Sequence, residues 1–269
     1  MSALHEAFAR ARGEGRATLI GYLPSGFPSL TEGIALARAI VAAGVDVVEV
    51  GLPYSDPLMD GPVIQEAVHQ ALVGGSSVAH VLETVSGVAA TGAPTLVMSY
   101  WNPIERIGTD AFAARLAAAG GVGVITPDLT PEEAGDWVSA TDAAQLDRVF
   151  LVAPSSTDER IAAVATVTSG FVYAASTMGV TGARASVGSH ARELVSRVRA
   201  MTDLPVAVGL GVSTGAQAAE VASYADGVIV GSAFIARILG APHHAAAIDA
   251  VSLLAAELAD GVRGRSVSA

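Results

Sequence analysis

The sequence predicts one α/β domain of the (β/α)8 TIM-barrel class, and three observations carry that reading. Eight short, β-branched and almost wholly apolar runs alternate with Ala-rich stretches of helix length, which implies a parallel sheet covered on both faces. Eight such units in 269 residues suit a closed barrel of about 250 residues better than an open doubly wound sheet. Hydrophobic residues make up 51% of the chain and charged ones 15%, ample for one extended core and too apolar for disorder.

The elements follow in order. Leu4 to Ala11 reads as an extra N-terminal helix able to cover the bottom of the barrel. The strand runs are Thr18 to Leu23, Val47 to Leu52, Thr95 to Tyr100, Val122 to Pro127, Arg148 to Ala153, Phe171 to Ser176, Val206 to Val212 and Gly227 to Gly231. Ser29 to Thr31, Thr109-Asp110 and Thr157-Asp158 stand where helix start signals are needed. Gly44 and Gly120-Gly121 follow helix ends, where a left-handed cap favours glycine. A short helix, Ser232 to Ile238, follows the eighth strand. No linker, low-complexity tract or charge block divides the chain, so residues 1–269 are expected to form a single domain with a frayed polar tail at 263–269.

Several functions are excluded by composition. A net charge of −11 with no basic run repels polyanions, so nucleic acid is not an expected partner. The uncharged stretches Thr84 to Ile104 and Ile161 to Ala183 are broken by Gly, Ser, Thr or Pro and read as strand plus loop, not as membrane spans. Met1 to Arg16 carries Glu6 and Glu14 and lacks an apolar stretch, so no signal peptide is read there and a cytoplasmic location is expected. There is no cysteine and no lysine, which removes thiolate nucleophiles, Cys metal sites and a lysine Schiff base. The only histidine cluster, His243-His244, reads as a solvated helix start, and no metal site is expected. Chemistry is left to Asp, Glu, Tyr, Ser, Thr and the backbone.

Alternation in the second strand places Val47, Glu49 and Gly51 on one face and Val48, Val50 and Leu52 on the other. The aliphatic face suits the helix layer, so Glu49 points into the barrel near the strand's C-terminal end, where barrel enzymes keep catalytic groups. Burial there raises a carboxyl pKa toward neutrality. The loop that follows, Pro53 to Pro62, holds Asp56 and Asp60 among three prolines that restrict its backbone. Glycines gather after the last three strands, at Gly179-Val180-Thr181-Gly182, Gly209-Leu210-Gly211 and Gly231-Ser232. Their exposed N–H groups and the helix start at Ser232 would make a nest for a phosphate.

The stretch Val48-Glu49-Val50-Gly51-Leu52-Pro53-Tyr54-Ser55-Asp56-Pro57-Leu58-Met59-Asp60-Gly61-Pro62 closely resembles the signature of the tryptophan synthase alpha subunits. The three glycine clusters and Thr126-Pro127-Asp128-Leu129 match in the family's order, from about Leu4 to the last helix. The resemblance implies retro-aldol cleavage of indole-3-glycerol phosphate to indole and glyceraldehyde 3-phosphate. It implies Glu49 as the acid/base at indole C3 and Asp60 as the group stabilising the charged ring nitrogen. Tyr22, Met98, Tyr100, Leu129, Tyr173, Thr181 and Leu210 would contact the substrate, and Gly182, Gly211, Gly231 and Ser232 its phosphate. No cofactor is implied on this chain; pyridoxal phosphate is implied on a beta-subunit partner in an alpha2beta2 complex, met by Pro53, Asp56, Pro57, Leu58, Asn102 and Pro103. Two departures stand out: Thr177-Met178 where many members have an arginine, and Gly26-Phe27-Pro28 in place of Gly-Asp-Pro. Two other readings remain open at this point, a sugar-phosphate epimerase or isomerase and a barrel kept only as a binding partner. The first would want a second acid/base on another strand end, and Asp128, the candidate, reads better as a loop-holding hydrogen-bond acceptor.

Overall fold

A computed structural model describes residues 2–175, 188–209 and 211–264. The order is α1 (Ala3–Gly13), β1 (Thr18–Pro24), α2 (Leu30–Ala42), β2 (Val47–Gly51), α3 (Pro62–Val73), α4 (Val78–Ala89), β3 (Thr95–Met98), α5 (Trp101–Ile107) and α6 (Thr109–Ala118). It continues with β4 (Gly123–Ile125), a 3-10 turn (Pro131–Glu133), α7 (Gly135–Ala143), β5 (Asp147–Val149), β6 (Leu151–Val152), α8 (Asp158–Val167) and β7 (Val172–Ala175). Last come α9 (Gly188–Arg199), β8 (Val206–Gly209), α10 (Gly215–Ala222), β9 (Gly227–Val230), α11 (Ser232–Leu239) and α12 (His244–Arg263).

Every strand pair is parallel, in the order β5-β4-β3-β2-β1-β9-β8-β7-β6. There are nine segments where eight runs were expected, because the fifth run is interrupted at Phe150. Its first half, β5, pairs with β4, and its second half, β6, pairs with β7. The two ends of the sheet are therefore consecutive in the chain, and the barrel closes; the Tyr173 N–H donates to the Phe150 carbonyl at 3.0 Å beside this seam. Closing a sheet requires tilted strands with a staggered register.

The barrel interior takes one residue from each strand unit: Ile20, Val47, Leu96, Ile125, Val149, Phe171, Ala207 and Ile229. Their neighbours Val48, Val50, Val97, Val124, Val172, Val208 and Val228 join the second core, under the helices, as a period of two requires. Leu4, Ala7 and Phe8 of α1 belong to the interior cluster, with the Phe8 ring 5.5 Å from that of Phe171. The expected N-terminal helix thus plugs the barrel end away from Glu49.

Ser29 and Thr157 cap α2 and α8 through their hydroxyls, as expected. Thr109, read as a start signal, is instead the first helical residue, with Gly108 ahead of it at the cap. Gly44 has φ 117°, a backbone that suits glycine alone. The second and third strands stop at Gly51 and Met98, shorter than their runs, and Tyr100 leaves the sheet to cap α5. His243 caps α12, its ring accepting the Ala246 N–H at 3.2 Å. Among the described residues no helix is long and apolar enough to cross a membrane, and no His/Cys/Asp/Glu group could hold a metal. Thr84 to Ile104 is the end of α4, β3 and the start of α5. The expected frayed tail at 263–269 begins later than read, since Arg263 is the last residue of α12 and Gly264 its cap; residues 265–269 and Ser176, the end of the sixth run, lie outside the described residues.

Candidate active site

Two residues along β2 from Val47, on the same face, Glu49 stands opposite Tyr22 of β1 in the strand register and opposite Leu96 of β3. It is 0% exposed, and neither carboxylate oxygen has a hydrogen-bond partner among the described residues. Among the described residues it is not half of a buried ion pair. Burial alone pushes its pKa up to about 8, so the carboxyl is protonated at neutral pH and is a proton donor. A buried polar group left unbonded is costly, and sites where one persists are candidates for function.

Glycines shape the space beside it. A Cβ on Gly51 would collide with the Tyr22 hydroxyl, one on Gly209 with the Tyr173 hydroxyl, and one on Gly231 would meet the Tyr22 ring at 3.0 Å. Burial raises the pKa of both phenols, and the charges of Asp60 and Glu49 raise them further. Tyr22 and Tyr173 thus stand near both carboxylates as neutral hydroxyls.

Asp60 is half-buried, and burial raises its pKa against a hydrogen bond with Tyr100 that lowers it. The Tyr100 hydroxyl also accepts the Leu58 and Met59 N–H groups at 3.1 and 3.0 Å. The Gln65 amide donates to the Asp60 carbonyl at 2.8 Å, and the Asn102 amide donates to the Tyr54 hydroxyl at 2.7 Å. Behind the loop, toward α3, opens a cavity of about 350 Å³ lined by Tyr54, Pro57, Pro62, Gln65 and His69 among others. It lies on the helix side, so hydrogen bonds rather than close packing hold this stretch of the loop. Pro53 is buried, Pro57 and Pro103 are half-buried, and Asp56 and Asn102 are exposed. Leu58 is 77% and Met59 45% exposed.

On the opposite rim, Gly231 caps α11 without a side-chain hydrogen bond, and Ser232 opens the helix. Gly211 has φ 68° and open space where a Cβ would stand. Thr181, Gly182 and Leu210, together with Thr177-Met178 and Gly179-Val180, lie outside the described residues. Asp128 accepts the Trp101 N–H at 2.9 Å, the loop-holding role expected of it. Leu129 and Tyr100 are buried. Sequence reasoning assigned Tyr100 a place in the pocket lining and missed its hydroxyl's grip on the loop. Its position at a strand end, a few residues from Asn102, was the only signal.

Fold and site define a parallel barrel with a protonated buried carboxyl inside its mouth and a second carboxylate on a tethered rim loop. The family model for the tryptophan synthase alpha chain matches residues 8–263. The Thermobifida fusca alpha chain is 60% identical over 266 residues, 98% of each chain, and that of Streptomyces coelicolor 58% over 264 residues, 98% of this chain and 97% of that one. A solved Mycobacterium tuberculosis tryptophan synthase structure superposes with a TM-score of 0.91 at 52% identity, covering 97% of this chain and 98% of that one. The chain belongs to the tryptophan synthase alpha chain family.

Proposed function

We propose that this chain cleaves the carbon–carbon bond of indole-3-glycerol phosphate, releasing indole and glyceraldehyde 3-phosphate. The observation that carries this reading is Glu49, buried, without a partner among the described residues and protonated at neutral pH inside the barrel mouth. Glu49 donates its proton to indole C3, and the positive charge appears on the ring nitrogen, where the Asp60 carboxylate stabilises it. The adjacent glycerol hydroxyl then gives its proton back to Glu49. Its oxygen forms the aldehyde carbonyl, the carbon–carbon bond breaks, and the bonding pair restores the aromatic ring. The protonated ring is the electron sink, so neither a Schiff base nor a metal is required. Tyr22, Met98, Tyr100, Leu129, Tyr173, Thr181 and Leu210 line the indole and glycerol site. Gly182, Gly211, Gly231 and Ser232 take the phosphate on backbone N–H groups.

The partner in this reading is a beta subunit carrying pyridoxal phosphate, in an alpha2beta2 complex in the cytoplasm. It docks on Pro53, Asp56, Pro57, Leu58, Asn102 and Pro103. What supports the surface is the exposure of Leu58 and Met59 beside a proline-restrained loop, which lowers the ordering cost of association. A single-turnover assay tests the reaction: indole should appear from indole-3-glycerol phosphate, with no turnover of a panel of pentose phosphates. No indole from the wild-type chain, with or without a beta subunit, would overturn the reading.

A further inference from the structure

We propose that Tyr100 is the positioning residue for the Asp60 carboxylate: its hydroxyl ties the rim loop's backbone to the end of β3 and directs its one proton at Asp60. The inference rests on the reading above for what Asp60 does, but the geometry that carries it is independent of any substrate. A phenol hydroxyl has two acceptor positions and one donor. The Leu58 and Met59 N–H groups, at 3.1 and 3.0 Å, fill the two acceptor positions. The hydroxyl's own proton is then left for the half-buried Asp60, the residue after Met59, and the phenol lowers that carboxyl's pKa against the burial that raises it.

The phenol is itself well placed to be the fixed point. Tyr100 is buried and caps α5 two residues after β3, whose Met98 is in register with Gly51, the last residue of β2 before the loop. Its backbone is held locally, since the Ser99 hydroxyl donates to the Tyr100 carbonyl at 2.7 Å and Asp128 accepts the next N–H at 2.9 Å. The two N–H bonds lower the phenol's pKa against a larger rise from burial, and a hydroxyl that accepts hydrogen bonds is a stronger donor for its own proton. Besides its prolines and the Gln65 amide on the Asp60 carbonyl, little else sets the loop. Leu58 and Met59 turn their side chains outward while their N–H groups turn in, and a cavity lies behind. The Asn102–Tyr54 hydrogen bond adds a second tie from the same segment, with the Tyr54 and Tyr100 rings 5.5 Å apart. Removing the hydroxyl would leave two backbone donors without an acceptor and Asp60 without its donor at one stroke.

The test is Tyr100→Phe in the full chain, which keeps the ring and deletes the oxygen. Amide hydrogen exchange at Leu58 and Met59 should quicken by at least about tenfold while β2 and β3 amides stay protected. The carboxyl titration of Asp60, followed by carbon NMR, should move to higher pH. In turnover of indole-3-glycerol phosphate, kcat should fall by about tenfold or more with KM within about threefold, the pattern of lost alignment rather than lost binding. The acid limb of the pH–kcat profile should move up with the NMR midpoint. An unchanged Asp60 titration with unchanged loop exchange would overturn the proposal, as would a rise in KM alone, which is the signature of a pocket-lining ring. If the variant fails to fold, wild-type Leu58 and Met59 amides decide: protection supports the tie, and exchange at open-loop rates overturns it. If the wild-type chain makes no indole, the reaction assignment fails, while the NMR readouts still judge the tie.

Discussion

Among the described residues Glu49 has no hydrogen-bond or ion-pair partner, and burial sets how its charge state depends on pH. Its pKa is about 8 in the fold and 4.5 unfolded. Between those values the unfolded chain ionises Glu49 while the folded chain keeps it neutral, so its contribution to stability is full below pH 4.5 and is lost as pH rises through about 8. Glu49→Gln removes this loss, and the variant should gain on the order of 4 kcal/mol relative to wild type between pH 4.5 and pH 9. Urea denaturation at those two pH values measures it, and equal differences at both would mean Glu49 finds a partner in solution. Activity should respond in the opposite sense. The protonated form is the acid, so wild-type kcat/KM for indole release should fall above about pH 8, and Glu49→Gln should lower turnover at least about 10²-fold. Near-wild-type turnover by the Gln variant would make Glu49 structural.

At the scale of elements, the bottom and top of the barrel should separate stability from activity. Phe8 of α1 is buried against Phe171 at the closed end. Phe8→Ala should cost about 3 kcal/mol by leaving a cavity, with kcat/KM changed little; a matching collapse in activity would show that the plug shapes the site. On the open rim, Gly211 has room for a side chain but a left-handed backbone, so Gly211→Ala should cost only about 1 kcal/mol. Gly211→Asp adds a like charge and should weaken competition by glycerol phosphate, read as a rise in its inhibition constant beyond that of the Ala variant. Equal constants for the two variants would move the phosphate elsewhere. How far these elements could be read from the sequence follows from what set them. The inward direction of Glu49 was legible because a two-residue period in an apolar strand is a local property. The break at Phe150 was not, because it marks where the two halves of the run meet different neighbours, β4 and β7, which no single run encodes. The role of Tyr100 was hidden for a similar reason: its partners, Leu58 and Met59, lie about forty residues away in the chain and meet it through backbone N–H groups that carry no residue signature.

For the whole molecule, the consequential feature is that the loop bearing Asp60 also presents its apolar side chains to the outside. Leu58, at 77% exposure, and Met59 directly precede Asp60 in sequence, yet their N–H groups are bonded inward to Tyr100. A partner that covers them gains apolar burial only in the loop geometries that fit its surface, and in the proposed complex the geometry with Asp60 tied would be one of them. By linkage, a surface that binds one loop geometry better than others enriches it, and the gain in catalysis is bounded by that difference in affinity. Asp56 is exposed, bonded by the Ser55 hydroxyl at 2.5 Å, and in the proposed docking it would pair with a cation of the partner. Adding a cognate beta subunit should therefore raise indole release by about tenfold or more, near 1.4 kcal/mol of coupling. Asp56→Ala should lower that activation ratio, and Leu58→Asp, which puts a charge at the centre of the covered patch, should raise the beta-subunit concentration needed for half-maximal activation. The measurement is indole release titrated with beta subunit, alongside a direct binding assay on the same samples. Equal turnover with and without the beta subunit, at concentrations where binding is saturated, would mean the loop is already fully set in the free chain.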